Sequence, residues 1–512
     1  MPAAARAPLS RYPLPLPVVM LLVSALLMLL PAVHATATGL ADVARAFFSS
    51  SLALLILGLF LAIATWGFRP RSPARSHLRS LAGACLALPP ILAVPMMQAV
   101  PEMSFGAAWF EMVSGFTTTG ATIFPAHELP GPVHLWRGLV GWAGGFFVLV
   151  SASAILAPLN IGGFELYAPR SFGRPAGLSR HSEGTGAEPA DRLFEHALAL
   201  LPAWLGITAC LWAALLIAGD TELTALMHAM ATISTSGITP LERFSTAPSG
   251  FAGEMVIFAG LLFALSRRFL PGAPQARVDF PLKRDPELRT ALVILIAVPA
   301  ALAFRHTLSE LSAHESLDLL RSLSALWGAV FTTLSFMTTT GFDSASWPLT
   351  RIWSGMETPG LFLLGLAMVG GGVATTTGGV KLLRLYALWS LGRRELERLS
   401  EPSAVAGGGA FARHIRTEGA YIAFIFFILF ALTLGAMNLI LAAMGLEFEA
   451  AILFSVSALS GTGPMADISQ ISETRWQDLD SAPRVVLAAG MILGRLETLA
   501  LIAFAMPQAW RR

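Results

Sequence analysis

The stretch FTTTGATIF at residues 116–124 decides how this sequence folds. It places three threonines and a glycine inside a chain that is 55% hydrophobic and 13% charged, with a mean hydropathy of +0.66. That composition is typical of a membrane protein. Lipid offers no hydrogen-bond partner to an irregular backbone, so such a stretch must line water or be buried in protein.

The same pattern occurs three more times along the chain. ATISTSGITPL surrounds Gly237, SFMTTTGFDSA surrounds Gly341 and SALSGTGPMAD surrounds Gly463. Together with Gly120, these glycines lie a little over 100 residues apart, and each stands between two apolar stretches. Since about 20 apolar residues cross a bilayer, the chain is predicted to contain four copies of a unit made of helix, re-entrant pore loop and helix.

Four such loops around one axis would form a pore. An extended Thr/Ser–Gly backbone can turn successive carbonyl oxygens toward the axis, where they replace the hydration shell of a monovalent cation. Glycine supplies backbone conformations that a Cβ would forbid, and the hydroxyl groups can add ligands or brace the loop. A divalent ion would call for carboxylates, and none stands between the first Thr or Ser and the final Gly of any of the four runs, 117–120, 234–237, 338–341 and 460–463. Potassium is therefore the predicted ion, with sodium as the alternative.

A second glycine-rich stretch, GGGVATTTGGVK at residues 370–381, falls inside the last helix of the third unit. Glycine and threonine are poor helix formers, so the helix is predicted to break near the middle of the membrane. The stretch could pack small residues tightly between helices. Alternatively, it could be a flexible loop that lies across the pore and acts as a gate.

These motifs resemble the Trk/Ktr/HKT superfamily of potassium transporters, and most closely its bacterial TrkH type. The resemblance covers essentially the whole chain. Besides the glycine-rich stretch, it is carried by TTTGAT (117–122), STSGIT (234–239), TTTGFD (338–343), SGTGPM (460–465) and IGGFELY (161–167). We call the first four the Thr/Ser–Gly segments.

The resemblance implies an all-α polytopic membrane protein with four helix–pore loop–helix repeats in a pseudo-fourfold arrangement around one ion pore, plus two N-terminal peripheral helices. The two leading apolar spans, about 14–33 and 50–68, favour the Trk branch. The predicted divisions are an N-terminal helix pair (1–76), pore repeats at 77–160, 193–270, 289–398 and 413–512, and cytoplasmic linkers at 161–192, 271–288 and 399–412.

Carried over residue by residue, the resemblance assigns two groups of functional residues. The potassium-coordinating carbonyls would belong to Thr118, Thr119, Gly120, Thr235, Ser236, Gly237, Thr339, Thr340, Gly341, Gly461, Thr462 and Gly463. The gate would comprise Gly370, Gly371, Gly372, Thr375, Thr376, Thr377, Gly378, Gly379, Lys381 and Arg495. Relatives commonly carry glycine at the position of Ser236, and only the fourth segment has a glycine, Gly461, where the other three have threonine.

Several charged residues lie in or near the apolar spans and have two possible roles each. Arg495 would contact the gate loop in the family pattern, or else pair with Glu497 or another buried carboxylate. Lys381 marks the cytoplasmic exit or contacts lipid headgroups. Glu111 and its aligned counterpart His228 could tune the field at the filter or form hydrogen bonds behind the loops. Asp343 could attract cations or be a solvated loop acid.

The function implied by the resemblance is potassium uptake across the bacterial inner membrane, controlled by the intramembrane gate and a cytoplasmic regulatory subunit. The implied partners are a second copy of the chain, a TrkA-like nucleotide-binding ring and membrane lipid. Potassium would be substrate, and no cofactor is expected in the chain. A net charge of +2 does not suggest nucleic-acid binding.

Two other classes of function make their own demands on the sequence. A sodium-permeable or ion-coupled secondary transporter with a binding site at the membrane midplane would also contain glycine-interrupted spans. A membrane enzyme would need clustered His, Asp or Glu at one membrane face, whereas here they are scattered, so no enzyme is predicted. The first apolar segment is expected to be a retained helix, although a cleavable signal peptide would share its pattern.

Overall fold

The computed structural model of the protein describes residues 14–67, 73–156, 189–269, 285–313, 319–355, 360–400 and 417–496. Every regular element within these ranges is a helix, as the all-α prediction required. The IGGFELY stretch, Glu497 and most of the three predicted linkers lie outside the described residues.

Seven described helical spans are long and apolar enough to cross a membrane, which supports the multi-pass prediction. They are Leu16–Ala37, Ala41–Ala64, Leu81–Ala99, Gly131–Ala154, Leu193–Ala218, Pro286–Arg305 and Gly419–Ala443.

The N-terminal helices pack against one another at the side of the molecule. They are α1 (Leu16–Leu27), α2 (Leu29–Ala37) and α3 (Ala41–Ala64). The buried Ser51 hydroxyl donates to the Ala25 carbonyl at 2.6 Å and ties α3 to α1. Ile56, Phe60 and Ile63 leave large apolar surfaces exposed, as expected for a helix that faces lipid. Whether the first helix is retained stays a prediction.

The remaining helices form four sets with one order: a long helix, a buried helix that leads into a Thr/Ser–Gly segment, and a further helix. The first set is α4 (Pro73–Ala99), α5 (Phe105–Phe116) and α6 (Gly131–Ser151). The second is α7 (Pro189–Ala218), α8 (Glu222–Ser234) and α9 (Gly250–Leu261). The third is α10 (Pro286–Ala313), α11 (Leu319–Met337), α12 (Trp347–Ser354), α13 (Gly360–Val369) and α14 (Leu382–Ser400). The fourth is α15 (Thr417–Ala443), α16 (Phe448–Ser460), α17 (Met465–Ile468) and α18 (Ser481–Leu496).

Short helices of other types complete the structure. A π-helical turn, Ala152–Leu156, follows α6, and 3₁₀ turns occur at Ala126–Glu128, Phe244–Thr246, Leu262–Leu265, Arg267–Phe269 and Trp476–Asp478.

The helix break predicted in the third set is confirmed, because α13 ends at Val369 and α14 begins at Leu382. Two linkers end earlier in the chain than the sequence indicated. Helix α7 begins at Pro189, inside the predicted linker 161–192, and α10 begins at Pro286, inside 271–288. Proline is favoured in the first turn of a helix because its missing N–H has no intrahelical partner there.

The helices α5, α8, α11 and α16 form the centre of the molecule. One large apolar side chain on each of these helices, 10 residues before the last glycine of the segment that follows, is fully buried with 0% exposure: Phe110, Met227, Phe331 and Leu453. The four central helices therefore fix the positions of the Thr/Ser–Gly segments that follow them.

Candidate ion-binding site

All four Thr/Ser–Gly segments begin with the same helix C-terminal cap. In each, one residue adopts a left-handed conformation, and the N–H of the next residue donates to the carbonyl five residues earlier, as in a Schellman motif. The left-handed residues are Thr118, Thr235, Thr339 and Gly461, with φ of 54°, 50°, 57° and 69°. The matching N–H···O distances are 2.8 Å (Thr119 to Ser114), 3.0 Å (Ser236 to Ala231), 2.9 Å (Thr340 to Ser335) and 2.9 Å (Thr462 to Ser457).

Threonine is an unfavourable residue for this conformation. A β-branched side chain at positive φ is a genuine outlier, costing on the order of 1–3 kcal/mol, and such strain concentrates at functional sites. The same strain at Thr118, Thr235 and Thr339 indicates that the bend is required at each place. Gly461 adopts the same bend without a Cβ, so the fourth segment departs in sequence but not in backbone conformation at this position.

The flanking hydroxyl groups brace the bend. In every segment the hydroxyl before the left-handed residue donates to the carbonyl four residues earlier, at 2.7–2.9 Å. The same hydroxyl also pairs with the hydroxyl two residues later: Thr117 with Thr119 at 2.9 Å, Ser234 with Ser236 at 3.1 Å, Thr338 with Thr340 at 3.1 Å and Ser460 with Thr462 at 3.2 Å. Of the two roles open to these hydroxyls, the structure supports bracing.

The four segments contact one another in chain order and close into a ring. A Cβ on Gly120 would lie 1.9 Å from the Ser236 carbonyl oxygen, and one on Gly237 would lie 2.1 Å from that of Thr340. A Cβ on Gly341 would lie 3.2 Å from the Thr462 side chain. The circle closes where a Cβ on Gly463 would lie 2.1 Å from the Ala121 nitrogen. Any side chain at Gly120, Gly237 or Gly463 would therefore force the neighbouring backbone to move.

Helix dipoles give this ring a preference for cations. Helices α5, α8, α11 and α16 all end at the segments, and the C-terminus of a helix carries a partial negative charge of about half an elementary charge. The segments themselves add backbone carbonyls and hydroxyls, most of them in buried positions. The arrangement concentrates negative potential at the ring.

A cavity of about 370 Å³ opens onto the ring at Gly120, Gly237 and Gly341. Its walls carry charged groups of both signs, among them the acids Asp343 and Asp467 and the base Arg475. Arg243 also lines the cavity and donates to the Asp467 carbonyl at 2.9 Å, which links the loops after the second and fourth segments. The cavity gives solvent a route to one end of the ring.

Buried acids hold the backbone just beyond the ring. Glu111 accepts hydrogen bonds from the Ile123 N–H at 2.7 Å and the Thr122 hydroxyl at 2.9 Å, and its other oxygen pairs with Arg137 at 2.8 Å. Glu111 and Arg137 are 2% and 5% exposed. Of the two roles weighed for Glu111, the contacts show hydrogen bonding behind the loop.

The second and third segments have comparable braces. His228 contacts the Thr239 hydroxyl at 2.9 Å and Asp220 at 3.2 Å, so it too forms hydrogen bonds behind its loop. Glu254 accepts from the Ala345 N–H at 2.7 Å and the Ser344 hydroxyl at 2.8 Å. Glu254 is not among the residues predicted from the sequence, although a lone acid in the apolar run GFAGEMVIFAG is a usable signal of function.

Asp343 is not a solvated loop acid. It is 1% exposed and accepts from the Ser245 hydroxyl at 2.9 Å and the Ser245 N–H at 3.3 Å. It also lines the cavity, so attraction of cations remains a prediction for it.

The glycine-rich loop, residues 370–381, is folded back on itself. Its two ends are joined by backbone hydrogen bonds from Val380 to Met368 and from Lys381 to Val369, both at 2.9 Å. A Cβ on Gly370 would lie 2.2 Å from the Gly378 oxygen, so glycine is required for this turn. Glu287, on α10, accepts from the Val373 N–H at 2.8 Å and anchors the loop. The loop is therefore compact and internally bonded.

This loop contacts the ring at the end opposite the cavity. Thr376 bonds with the Thr235 hydroxyl at 3.1 Å and donates to the Ile233 carbonyl at 3.2 Å. The Gly378 N–H donates to the Thr339 hydroxyl at 2.9 Å, and a Cβ on Gly378 would lie 1.9 Å from the Ser460 oxygen. The second, third and fourth segments are thus touched by one loop.

The two basic residues assigned to the gate have different surroundings. Lys381 is 7% exposed, and its ammonium group donates to the carbonyl and the hydroxyl of Thr377 inside the loop. Lys381 is therefore not a lipid-headgroup contact. Arg495 lies near the end of α18. Within the part of the chain that the structure describes, its Nε and one Nη have no hydrogen-bond partner.

A family model described as "TrkH: Cation transport protein" matches residues 208–511 of this chain. The chain belongs to the TrkH family. Membership identifies a transport protein rather than an enzyme.

Individual relatives agree with this assignment. The chain is 30% identical to "Trk system potassium uptake protein TrkH" of Vibrio parahaemolyticus over 80% of this chain and 81% of the relative. It is 28% identical to "Trk system potassium uptake protein TrkI" of Halomonas elongata over 82% and 80%. The crystal structure of the potassium transporter TrkH from Vibrio parahaemolyticus superimposes with a TM-score of 0.78 at 26% identity, covering 97% of this chain and 98% of that one.

Proposed function

We propose that this chain takes up potassium across the bacterial inner membrane through one pore, with the four Thr/Ser–Gly segments as its filter. The observation that carries the proposal is the ring of four identically capped segments, which contact one another in chain order and separate a cavity from a glycine-rich loop. The names of the relatives, which are potassium uptake proteins, support the choice of ion.

In this proposal the ion is held by backbone carbonyls of the twelve filter residues named from the sequence. The carbonyls replace water ligands, and the four helix C-termini add a favourable potential for a single positive charge. The four capped segments supply the pseudo-fourfold arrangement, and the cavity becomes the outer mouth. Buried acids and hydroxyls keep the carbonyls in place, because their hydrogen bonds fix the backbone on either side of the bend.

The glycine-rich loop is the proposed gate. It lies against the inner end of the filter, where it would obstruct an ion leaving toward the cytoplasm. Opening would have to break the hydrogen bonds that Thr376 and the Gly378 N–H form with the ring. Arg495, on α18 of the fourth set, is proposed to hold the gate through its positive charge.

Removing the Thr376 hydroxyl is expected to increase uptake by the chain alone. Thr376→Val loses the bonds to Thr235 and Ile233, each contributing about 0.5–1.5 kcal/mol, so the open fraction should rise roughly tenfold. Thr433→Val is the matched control, since its hydroxyl bonds only within α15 as far as the described structure extends. Rubidium uptake into proteoliposomes measures both, and a Thr376→Val rate equal to the control would contradict the gate.

The proposed partners are a second copy of this chain and a TrkA-like ring at the cytoplasmic face. Support comes from the relatives, which are described as components of a Trk system. Binding of the TrkA-like ring at the cytoplasmic face would supply the free energy for moving the glycine-rich loop. Membrane lipid surrounds the assembly.

The test is rubidium uptake into proteoliposomes that contain this chain, with potassium, sodium and lithium as competitors. Potassium should compete best if the carbonyl ring selects the ion. Equal competition by sodium would favour the sodium-permeable alternative. Uptake that requires a proton or sodium gradient would favour an ion-coupled transporter.

External acid is expected to lower uptake through Asp467. Burial raises the pKa of this half-buried carboxyl to about 6, although Arg475 and Arg243 partly oppose the shift. The group is therefore charged above this pH and neutral below it. Because Glu242 also lines the outer cavity, the cavity loses only part of its negative charge when Asp467 is protonated.

The fall between about pH 7.5 and pH 5 should be roughly fivefold, since a unit charge about 4 Å away in water contributes about 1 kcal/mol. Asp467→Asn should show the low rate throughout this range and a flat profile. A profile in the variant as steep as in the wild type would rule out Asp467 as the titrating group.

A further inference from the structure

The fourth Thr/Ser–Gly segment differs from the other three at its last glycine. Gly120, Gly237 and Gly341 have φ of 75°, 64° and 81°, in the left-handed region. Gly463 lies outside that region, and a short helix, α17, begins two residues later at Met465. The Gly463 carbonyl therefore has a different orientation from its three counterparts.

That carbonyl also has hydrogen-bond donors from the protein. The Trp476 indole N–H donates to it at 2.9 Å, and the Ala466 N–H approaches it at 3.4 Å. A carbonyl oxygen has two lone pairs. The indole N–H occupies one, and the Ala466 N–H lies at the long end of hydrogen-bond distance from the oxygen. An ion would have to compete with both donors for this oxygen.

The position of Trp476 shows where the carbonyl points. The indole is 1% exposed and lies between Phe110 of α5, with ring centroids 5.8 Å apart, and Phe454 of α16, at 4.7 Å. It thus fills the joint between the first and fourth segments from behind. The Gly463 oxygen is directed into this packing between helices.

The joint between the second and third segments has the same construction with a different residue. There Phe244 lies against His228 of α8 at 5.0 Å and Phe331 of α11 at 5.8 Å. Both aromatic residues begin a 3₁₀ turn after their segment, and both line the cavity. The phenylalanine side chain has no N–H, so of these two aromatic side chains only that of Trp476 can donate to a filter carbonyl.

We propose that Trp476 withdraws the Gly463 carbonyl from the filter, so that three segments rather than four supply protein ligands at the outermost ion position. This inference rests on the proposed function and refines it, because Gly463 is removed from the set of coordinating residues. A water molecule from the cavity would complete the shell there. Since discrimination between potassium and sodium depends on the number of coordinating carbonyl dipoles, Trp476 lowers the selectivity of this filter.

The test is Trp476→Phe. This substitution gives the joint between the first and fourth segments the same side chain that Phe244 provides between the second and third segments. The ratio of potassium to sodium competition against rubidium uptake should rise about fivefold, equivalent to the loss of one hydrogen bond of about 1 kcal/mol. Trp136→Phe is the matched control, because its buried indole donates to the Leu92 carbonyl at 3.1 Å, in contact with α4 rather than the filter. The control should keep the wild-type ratio.

An unchanged or lower ratio in Trp476→Phe would overturn the inference, since the bond would then be neutral or would support selection. If this variant fails to fold, benzothienylalanine at position 476 keeps the shape of the indole without its N–H and carries the same test.

A second measurement separates this inference from the proposed function. Stabilisation of the detergent-solubilised protein by potassium and by sodium reports binding without requiring an open gate. Wild type that shows neither uptake nor preferential stabilisation by potassium would contradict the proposed function. Wild type that prefers potassium, with the same preference in Trp476→Phe, would contradict only the role of Trp476.

Discussion

Replacing Gly120 with serine is expected to abolish potassium-competed rubidium uptake. The new Cβ would lie 1.9 Å from the Ser236 carbonyl oxygen, and the backbone at φ of 75° disfavours any side chain. Relief requires the first or second segment to move, which displaces carbonyls on both sides of the contact. A fall of about 100-fold in uptake corresponds to a loss of only about 3 kcal/mol in interaction free energy between the filter and the ion. A filter whose first two segments cannot make their normal contact should lose at least that much.

Gly106→Ser provides the control for this substitution. Gly106 lies on α5, the helix that leads into the same segment, and a Cβ there would meet nothing within 4 Å. The control should transport normally. Both variants should give the same elution profile in detergent, so that loss of uptake reports the filter rather than misfolding. Normal uptake by Gly120→Ser would contradict the ring.

Replacing Glu111 with alanine is expected to produce the largest loss of stability. The change leaves Arg137 buried without its partner and removes the acceptor of the Ile123 N–H. Breaking a buried ion pair by removing one member costs about 3–5 kcal/mol. Thermal inactivation in detergent should be much faster, and the apparent melting temperature should fall.

The cause can be separated by a second substitution. Glu111→Ala combined with Arg137→Met removes both charges and should recover part of the lost stability, because no uncompensated charge stays buried. Asp42→Ala removes an exposed pairing with Arg45 and should leave the melting temperature unchanged. Equal melting temperatures for Glu111→Ala and wild type would show that the pair does not stabilise the fold.

The helical fold and the four-set order could be predicted from sequence because both depend on periodic signals. Long apolar runs specify spans, and the recurring Thr/Ser–Gly pattern marks a bend that only a few residue types tolerate. The break at 370–381 followed from helix propensity alone. The compactness of that loop could not be predicted in the same way. Glu287, which anchors the loop, is distant in sequence and lies at the start of another helix.

The bracing of the site was harder to predict. Glu111 and His228 could be noticed as polar residues in apolar helices, but their partners Ile123, Asp220 and Thr239 depend on how the chain returns. Trp476 gave no signal, because an aromatic residue after a loop is common and its hydrogen bond to Gly463 depends on its position between Phe110 of α5 and Phe454 of α16. Long-range contacts of this kind are determined by tertiary structure.

The closure of the ring has a consequence for the synthesis of the chain. The last contact joins Gly463, whose N–H donates to the Thr119 carbonyl at 2.6 Å, to the segment made first. Contacts between residues so far apart in sequence form late, since a long loop must close before they contribute free energy. A ribosome-bound chain that ends before the fourth set would hold three strained bends in the bilayer with an open side. Biogenesis should therefore include a stage at which the nascent chain needs protection, and this stage ends when the fourth set inserts.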